Sequence, residues 1–157
     1  MIRAGLGFDT HAFDPARDLV LGGVTIPDAP GLAGHSDADV LSHAVADALL
    51  GAAGLGDLGS NFPATDRWRD ASSLEILAET ARRLADDGWT IGNVDVTVMA
   101  EGPRLAPFVE DMRAAVSSAL GIDSPSVSVK STTTDRLGFV GRGEGLAAIA
   151  VALIEMR

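Results

Sequence analysis

Two short stretches hold most of the side chains in this sequence that could do chemistry. Asp9-Thr10-His11 sets a carboxylate and an imidazole two residues apart, and Gly34-His35-Ser36-Asp37-Ala38-Asp39-Val40-Leu41-Ser42-His43 supplies the other two histidines. Zn²⁺ takes nitrogen and oxygen donors, and three protein ligands with one open position make a catalytic site. On an extended segment Asp9 and His11 point to the same face, and His43 projects from a helix, so the three are candidate ligands. The same residues also fit a surface aspartate, a loop histidine and a core histidine bonded to Asp39 or Asp47 four positions away. Nothing local in the sequence drives His43 toward Asp9.

Other groups surround this set. Asp39 and Asp47 flank His43 and could orient its ring from outside the ligand set. His35 and Ser36 precede a helix, where backbone amides suit an anion; Ser36 could equally be a cap. Ser131-Thr132-Thr133-Thr134-Asp135 offers hydroxyls and a carboxylate at a strand end, suited to phosphates and a second cation or simply exposed. Gly138-Phe139-Val140-Gly141-Arg142-Gly143 places an arginine among glycines, within reach of an anion. Neither a Walker loop, a Rossmann fingerprint nor a Gly-x-Ser-x-Gly elbow occurs.

These groups need elements to hold them. Residues 2–13, with glycines at 5 and 7, read as an irregular strand entering a loop. Leu19 to Ile26 reads as a hairpin turning at Gly22-Gly23, and residues 27–34 as a Pro/Gly-rich connection. A first helix is expected from Ser36 or Asp37 to Ala53, stopped by Gly54, and a second from Ser72 or Ser73 to Asp87. Between them lies a long loop, Gly54 to Asp66. Alternation predicts strands at Ile91–Met99 and Ser126–Ser131, with a helix from Ala106 or Pro107 to Leu120 between them. Leu146–Met156 is apolar enough for a buried helix or strand, and the element order favours a strand. The result is an α+β fold, a two-layer sandwich with a mixed β-sheet and helices on one face. Its other face is left bare and is expected to be buried in an oligomer.

Composition narrows the function. A chain of 157 residues suits one domain. Without cysteine it has no disulfide framework or thiolate metal site, and a reducing cytoplasm is the expected compartment. No signal-like segment or membrane-length apolar run is present. A net charge of −10 argues against nucleic acid or anionic membrane as partner. A phosphorylated substrate would need cations or placed arginines to offset that charge.

Gly7-Phe8-Asp9-Thr10-His11, Gly34-His35-Ser36-Asp37-Ala38-Asp39-Val40, Asp47-Ala48-Leu49-Leu50-Gly51, Gly56-Asp57-Leu58-Gly59 with Phe62-Pro63, Asn93-Val94-Asp95-Val96-Thr97, and Lys130 to Thr134 with Gly138 to Gly145 occur in this order. Together they resemble the 2-C-methyl-D-erythritol 2,4-cyclodiphosphate synthase family of non-mevalonate isoprenoid biosynthesis, over nearly the whole chain. The resemblance implies a single synthase domain over residues 1–157 and a fold similar to the Bacillus chorismate mutase type. It also implies a homotrimer with active sites between subunits. The activity implied is that of a phosphorus–oxygen lyase. The 2-phosphate of 4-diphosphocytidyl-2-C-methyl-D-erythritol 2-phosphate attacks the β-phosphorus, giving the cyclic diphosphate and CMP.

The resemblance also assigns residues. Asp9, His11 and His43 would bind Zn²⁺, with Mg²⁺ or Mn²⁺ on the substrate diphosphate near Asp135. His35, Ser36, Asp57, Leu58 and Gly59 would hold the methylerythritol phosphate, lined by Phe62, Pro63, Ala64, Thr65 and Asp66. Ala100, Glu101, Gly102, Pro103, Arg104, Leu105 and Ala106, with Thr132, Thr133 and Thr134, would hold the cytidine and its phosphates. His35 and Thr133 would stabilise the transition state. Phe139 and Arg142 would lie toward the trimer axis, where an isoprenoid-type diphosphate could bind. Three positions depart from the pattern: Asp135 for a glutamate, Arg104 for a lysine and Ser131 for an alanine. Rival readings are a zinc-dependent phosphoesterase and a non-catalytic isoprenoid-diphosphate sensor.

Overall fold

Glycine determines how the first strand meets the first helix. In β1 (Ile2–Leu21), a Cβ at Gly5 would lie 1.9 Å from the Ala48 carbonyl oxygen, and one at Gly7 would lie 2.0 Å from that of Ala44. The helix α1 (Val40–Ala53) therefore rests on bare strand backbone. These glycines were expected to make the segment irregular; instead the strand is long because they let the helix in. Its Ile2–Ala12 half pairs with the last strand, and its Phe13–Leu21 half pairs with β2 (Val24–Leu32), with register shifts on either side of Asp18. β2 also corrects the connection expected over residues 27–34. Its prolines are tolerated because β2 is an edge strand, where a missing N–H breaks no inner ladder.

The computed structural model describes residues 1–156. The sheet order is β2-β1-β5-β3-β4, with β3 (Trp89–Met99) parallel to β4 (Val127–Thr132) and the other neighbours antiparallel. The terminal segment is the strand β5 (Gly145–Met156), as expected, and it lies at the sheet's centre. Helix α1 starts at Val40, later than expected, because Ala38 is left-handed (φ 57°) and cannot join a helical turn. Asp39 caps it and Gly54 ends it in the left-handed conformation. The loop after it contains a short α2 (Leu58–Asn61) and a 3-10 turn at Asp66–Trp68. The helix α3 (Ser73–Asp86) is capped by Ser72, and α4 (Val109–Leu120) connects β3 to β4.

The inner positions of β5, Ala148, Ala150, Ala152 and Ile154, are buried against the helices. Its alternate residues Ile149, Val151 and Leu153 remain exposed with Leu6 and Phe8 of β1, so the bare apolar face is present. No helix among the described residues is long and apolar enough to cross a membrane.

Candidate active site

β1 brings Asp9 and His11 to the helix-covered side of the sheet, and α1 delivers His43 from above them. One oxygen, Asp9 Oδ2, lies 3.0 Å from His11 Nε2 and 3.1 Å from His43 Nδ1. The three ligand atoms fall within 4.8 Å of one another. Burial raises the Asp9 pKa, but hydrogen bonding and charge attraction from the two imidazoles outweigh it and hold the carboxyl at about 2. For His11, burial opposes the charged form while Asp9 favours it, and the net shift is upward.

The outer contacts test whether these residues fit a metal. His11 Nδ1 is 2.6 Å from the Ala33 carbonyl, which can only accept, so this nitrogen carries a proton. His43 Nε2 is 3.0 Å from Ser73 Oγ and 3.2 Å from Ser36 Oγ, and the Ser73 hydroxyl donates to Asp37. With Nε2 donating to these hydroxyls, Nδ1 is the nitrogen that can give up its proton and offer a lone pair to a cation. Protons therefore bridge the inward nitrogens to the ionised Asp9 carboxylate, and a cation at the same point would replace those protons. Two imidazoles and one carboxylate beside a cavity fit Zn²⁺ with an open position.

Neither flanking aspartate orients His43. Asp39 is fully buried, and its carboxylate accepts from the Gly22, Gly23 and Ser42 amides at 2.9–3.0 Å and from Ser42 Oγ at 2.8 Å. It thus latches the β1–β2 turn to the start of α1, while burial and then Asp37 push its pKa up. Asp47 accepts from the Leu58 amide. The partners of His43 are Ser73, read from sequence only as a helix cap, and Ser36.

A cavity of about 210 Å³ opens over the ligand set, lined by His35, Ser36, Leu58, Phe62, Ala64, Trp68 and Ile76 besides Asp9, His11 and His43. His35 Nε2 is 2.7 Å from the Thr65 carbonyl, and Phe62 packs edge-on against Trp68. Asp57, Gly59, Pro63, Thr65 and Asp66 do not line it. Asp57 instead caps α2 in a reciprocal pair with Ser60, and Asp66 pairs with Arg69. Trp68 and Ile76 were missed, since each reads from sequence as an ordinary apolar residue.

The second predicted group converges in a cleft of about 270 Å³ lined by Ala100, Glu101, Pro103, Arg104, Leu105, Ala106, Ser131, Thr132 and Thr133. Gly102, Thr134 and Asp135 lie outside its lining. Asp9, Ala148, Val98 and Ser131 form one row across four strands, so the two groups share one end of the sheet, about 14 Å apart. Both cavities are smaller than the roughly 300–1,000 Å³ that enclose a small-molecule ligand, and they share no lining residue. Phe139 lines a third cavity with Phe8, Met99 and Ala147 on the bare face. Arg142 is paired through Nε and Nη2 with Glu144, at 2.8 Å for Nε, so part of its charge is already offset by a carboxylate.

A YgbB family profile matches residues 2–155. The chain belongs to the YgbB family. Its relatives include proteins named 2-C-methyl-D-erythritol 2,4-cyclodiphosphate synthase. The chain is 59% identical over 157 residues to that of Rubrobacter xylanophilus, covering 98% of this chain and 94% of the relative. It is 56% identical to a bifunctional IspD/IspF enzyme of Anaeromyxobacter dehalogenans over 98% of its own length, and spans only 40% of that enzyme. The IspF–CDP complex of Plasmodium falciparum superposes with a TM-score of 0.86 at 31% identity, covering 99% of this chain and 97% of the other.

Proposed function

We propose that this chain converts 4-diphosphocytidyl-2-C-methyl-D-erythritol 2-phosphate into 2-C-methyl-D-erythritol 2,4-cyclodiphosphate and CMP, as a phosphorus–oxygen lyase of isoprenoid precursor synthesis. The convergence of Asp9, His11 and His43 beside His35 and Ser36 carries this reading. The 2-phosphate oxygen bonds to the β-phosphorus, the bond from that phosphorus to the bridging oxygen breaks, and CMP leaves with the electron pair. Neither water nor a protein nucleophile is consumed. Holding the two phosphates in line is the main task, and orientation of this kind is worth roughly 7–11 kcal/mol in favourable cases.

Asp9, His11 and His43 would hold Zn²⁺, which when bound polarises the β-phosphate and offsets the negative charge of protein and substrate. His35 and Ser36 would orient the methylerythritol phosphate, and Leu58, Phe62 and Ala64 would keep water from its carbon skeleton. Thr132 and Thr133 would hold the nucleotide phosphates. Among the described residues, Asp135 belongs to no three-residue ligand cluster. A Mg²⁺ or Mn²⁺ ion there would take most of its ligands from substrate phosphates.

We further propose that residues 1–157 form a single synthase domain of the chorismate mutase-like type, working in the cytoplasm as a homotrimer. Two undersized half-sites and the exposed apolar face of Leu6, Phe8, Ile149, Val151 and Leu153 support completion of each site by a second copy. Incubation with the substrate and Mg²⁺, read by ³¹P NMR, tests the activity. A cyclic diphosphate with CMP is expected, and a linear phosphorylated product would establish a phosphoesterase instead. Light scattering tests assembly, and a monomer at micromolar concentration would rule out the trimer.

A further inference from the structure

A carboxylate, Glu101, lines the cleft assigned above to the nucleotide, where it would repel a diphosphate. Its hydrogen bonds account for its presence. One oxygen, Oε1, accepts from the Thr134 amide at 2.8 Å and the Arg136 amide at 3.2 Å, and lies 3.1 Å from Thr134 Oγ1. The amide donors hold the Glu101 pKa below its ordinary value. The donors belong to the turn after β4, and the acceptor to the loop after β3.

That turn is closed by its own bonds, from the Leu137 amide to the Thr134 carbonyl at 3.0 Å and from Thr134 Oγ1 to the Leu137 carbonyl at 2.8 Å, but its backbone is unfavourable and nothing within it fixes it to the neighbouring loop. Asp135 and Arg136 are consecutive left-handed residues with φ of 52° and 63°, a conformation that a Cβ disfavours. Such backbone persists only where its surroundings hold it. Thr133 Oγ1 gives only a long contact of 3.4 Å to the Asp135 amide. From the other side the turn abuts Gly141, where a Cβ would lie 2.1 Å from the Arg136 carbonyl carbon. The Glu101 carboxylate is thus the side chain that ties the Thr134 and Arg136 amides, on either side of the Asp135 amide, to the neighbouring loop.

We propose that Glu101 is a positioning residue whose carboxylate straps the Thr133–Arg136 turn to the loop after β3, setting Thr133 and Asp135 against the nucleotide phosphates. This rests on the nucleotide assignment made above. Glutamine keeps an acceptor oxygen of the same reach and alanine removes it, so the pair separates the strap from the charge.

In the zinc-loaded full chain, E101A is expected to lower kcat and weaken CDP binding by about tenfold or more. E101Q is expected to restore both to within about threefold, with zinc content unchanged in each variant. Hydrogen exchange of the Thr134 and Arg136 amides, measured without nucleotide, should speed up in E101A but not in E101Q. Wild-type behaviour in E101A overturns the proposal. Equal loss in both variants also overturns it, because that would make the charge a direct ligand contact. If E101A fails to fold, unprotected Thr134 and Arg136 amides in the wild-type chain overturn the strap. If the wild-type chain neither binds CDP nor releases CMP, the functional reading fails, and amide exchange still decides the strap.

Discussion

The Ser73 hydroxyl lies 3.0 Å from His43 Nε2 and donates its own proton to Asp37, so an α3 side chain orients a histidine of α1. His43 is only 5% exposed, which leaves solvent little opportunity to replace that contact. Partners of this kind typically contribute 10–100-fold to metal affinity. Ser73→Ala is therefore expected to weaken Zn²⁺ binding by about tenfold or more in a chelator competition. Asp47→Asn, whose oxygen serves only the Leu58 amide, should leave it unchanged. The opposite ranking would reinstate Asp47 as the orienting group.

Gly7→Ala tests the contact that sets α1 on β1. Its Cβ would lie 2.0 Å from the Ala44 carbonyl oxygen and 2.6 Å from the Ala48 amide nitrogen, both backbone atoms that no rotamer change can clear. Overpacking of this kind costs about 3 kcal/mol, which lowers Tm by about 10 °C in a chain of this size. Because Ala44 follows His43, the same shift should reduce zinc affinity. Gly51 provides the contrast: a Cβ there meets nothing within 4 Å and the site is helical, so Gly51→Ala should stabilise by about 0.5–1 kcal/mol. Calorimetry of the two variants reads both effects, and equal Tm values would refute the close-packing account.

Arg17 bears on the loop that carries His35. Its guanidinium donates to the Gly34 carbonyl at 2.6 Å and to the Ser36 carbonyl, while the Asp70 amide takes the carbonyl of His35 itself at 3.0 Å. Three successive carbonyls are thereby fixed. Arg17→Ala is expected to lower kcat by about tenfold through misplacement of His35, with zinc content retained. Arg17→Lys should recover only part of this, because an ammonium lacks the planar fork that spans two carbonyls. An unchanged kcat in Arg17→Ala would mean that the Asp70 contact holds the loop alone.

The sequence revealed the strands with clean alternation, the glycine-terminated helices and, through ordered motif blocks, most of the residues that converge in the two candidate clefts. It was misleading where one residue type serves two purposes. Gly5 and Gly7 read as strand weakeners, yet their missing side chains admit the helix. Asp39 has helical spacing to His43, but its carboxylate turns back to the Gly22-Gly23 turn, a partner no local pattern indicates. Ser73 lies 30 positions from His43, and its role depends on α3 crossing α1. Long-range polar contacts of this kind leave no periodic trace, whereas apolar faces do.

Acid should weaken the wall of the cavity over Asp9, His11 and His43 through Glu79. Hydrogen bonds from Arg82 and then Arg83 lower the Glu79 pKa from 4.5 to about 2. A folded value below the unfolded one means that the stabilisation is complete above about pH 4.5 and is lost as pH falls through about 2. Arg82 is well exposed, so solvent screening holds the contribution to about 1 kcal/mol. The Arg83 branch carries a structural consequence. Besides its 2.8 Å bond to Glu79, Arg83 donates to Asn61 Oδ1 at 2.7 Å and stacks over Phe62, a residue lining the cavity. Glu79→Gln is therefore expected to lower the urea midpoint at pH 7, with the gap to wild type closing as pH falls from 4.5 toward 2. Hydrogen exchange at Asn61 and Phe62 should already be faster in the variant at pH 7. A gap that stays constant with pH would show that Glu79 acts through packing rather than charge.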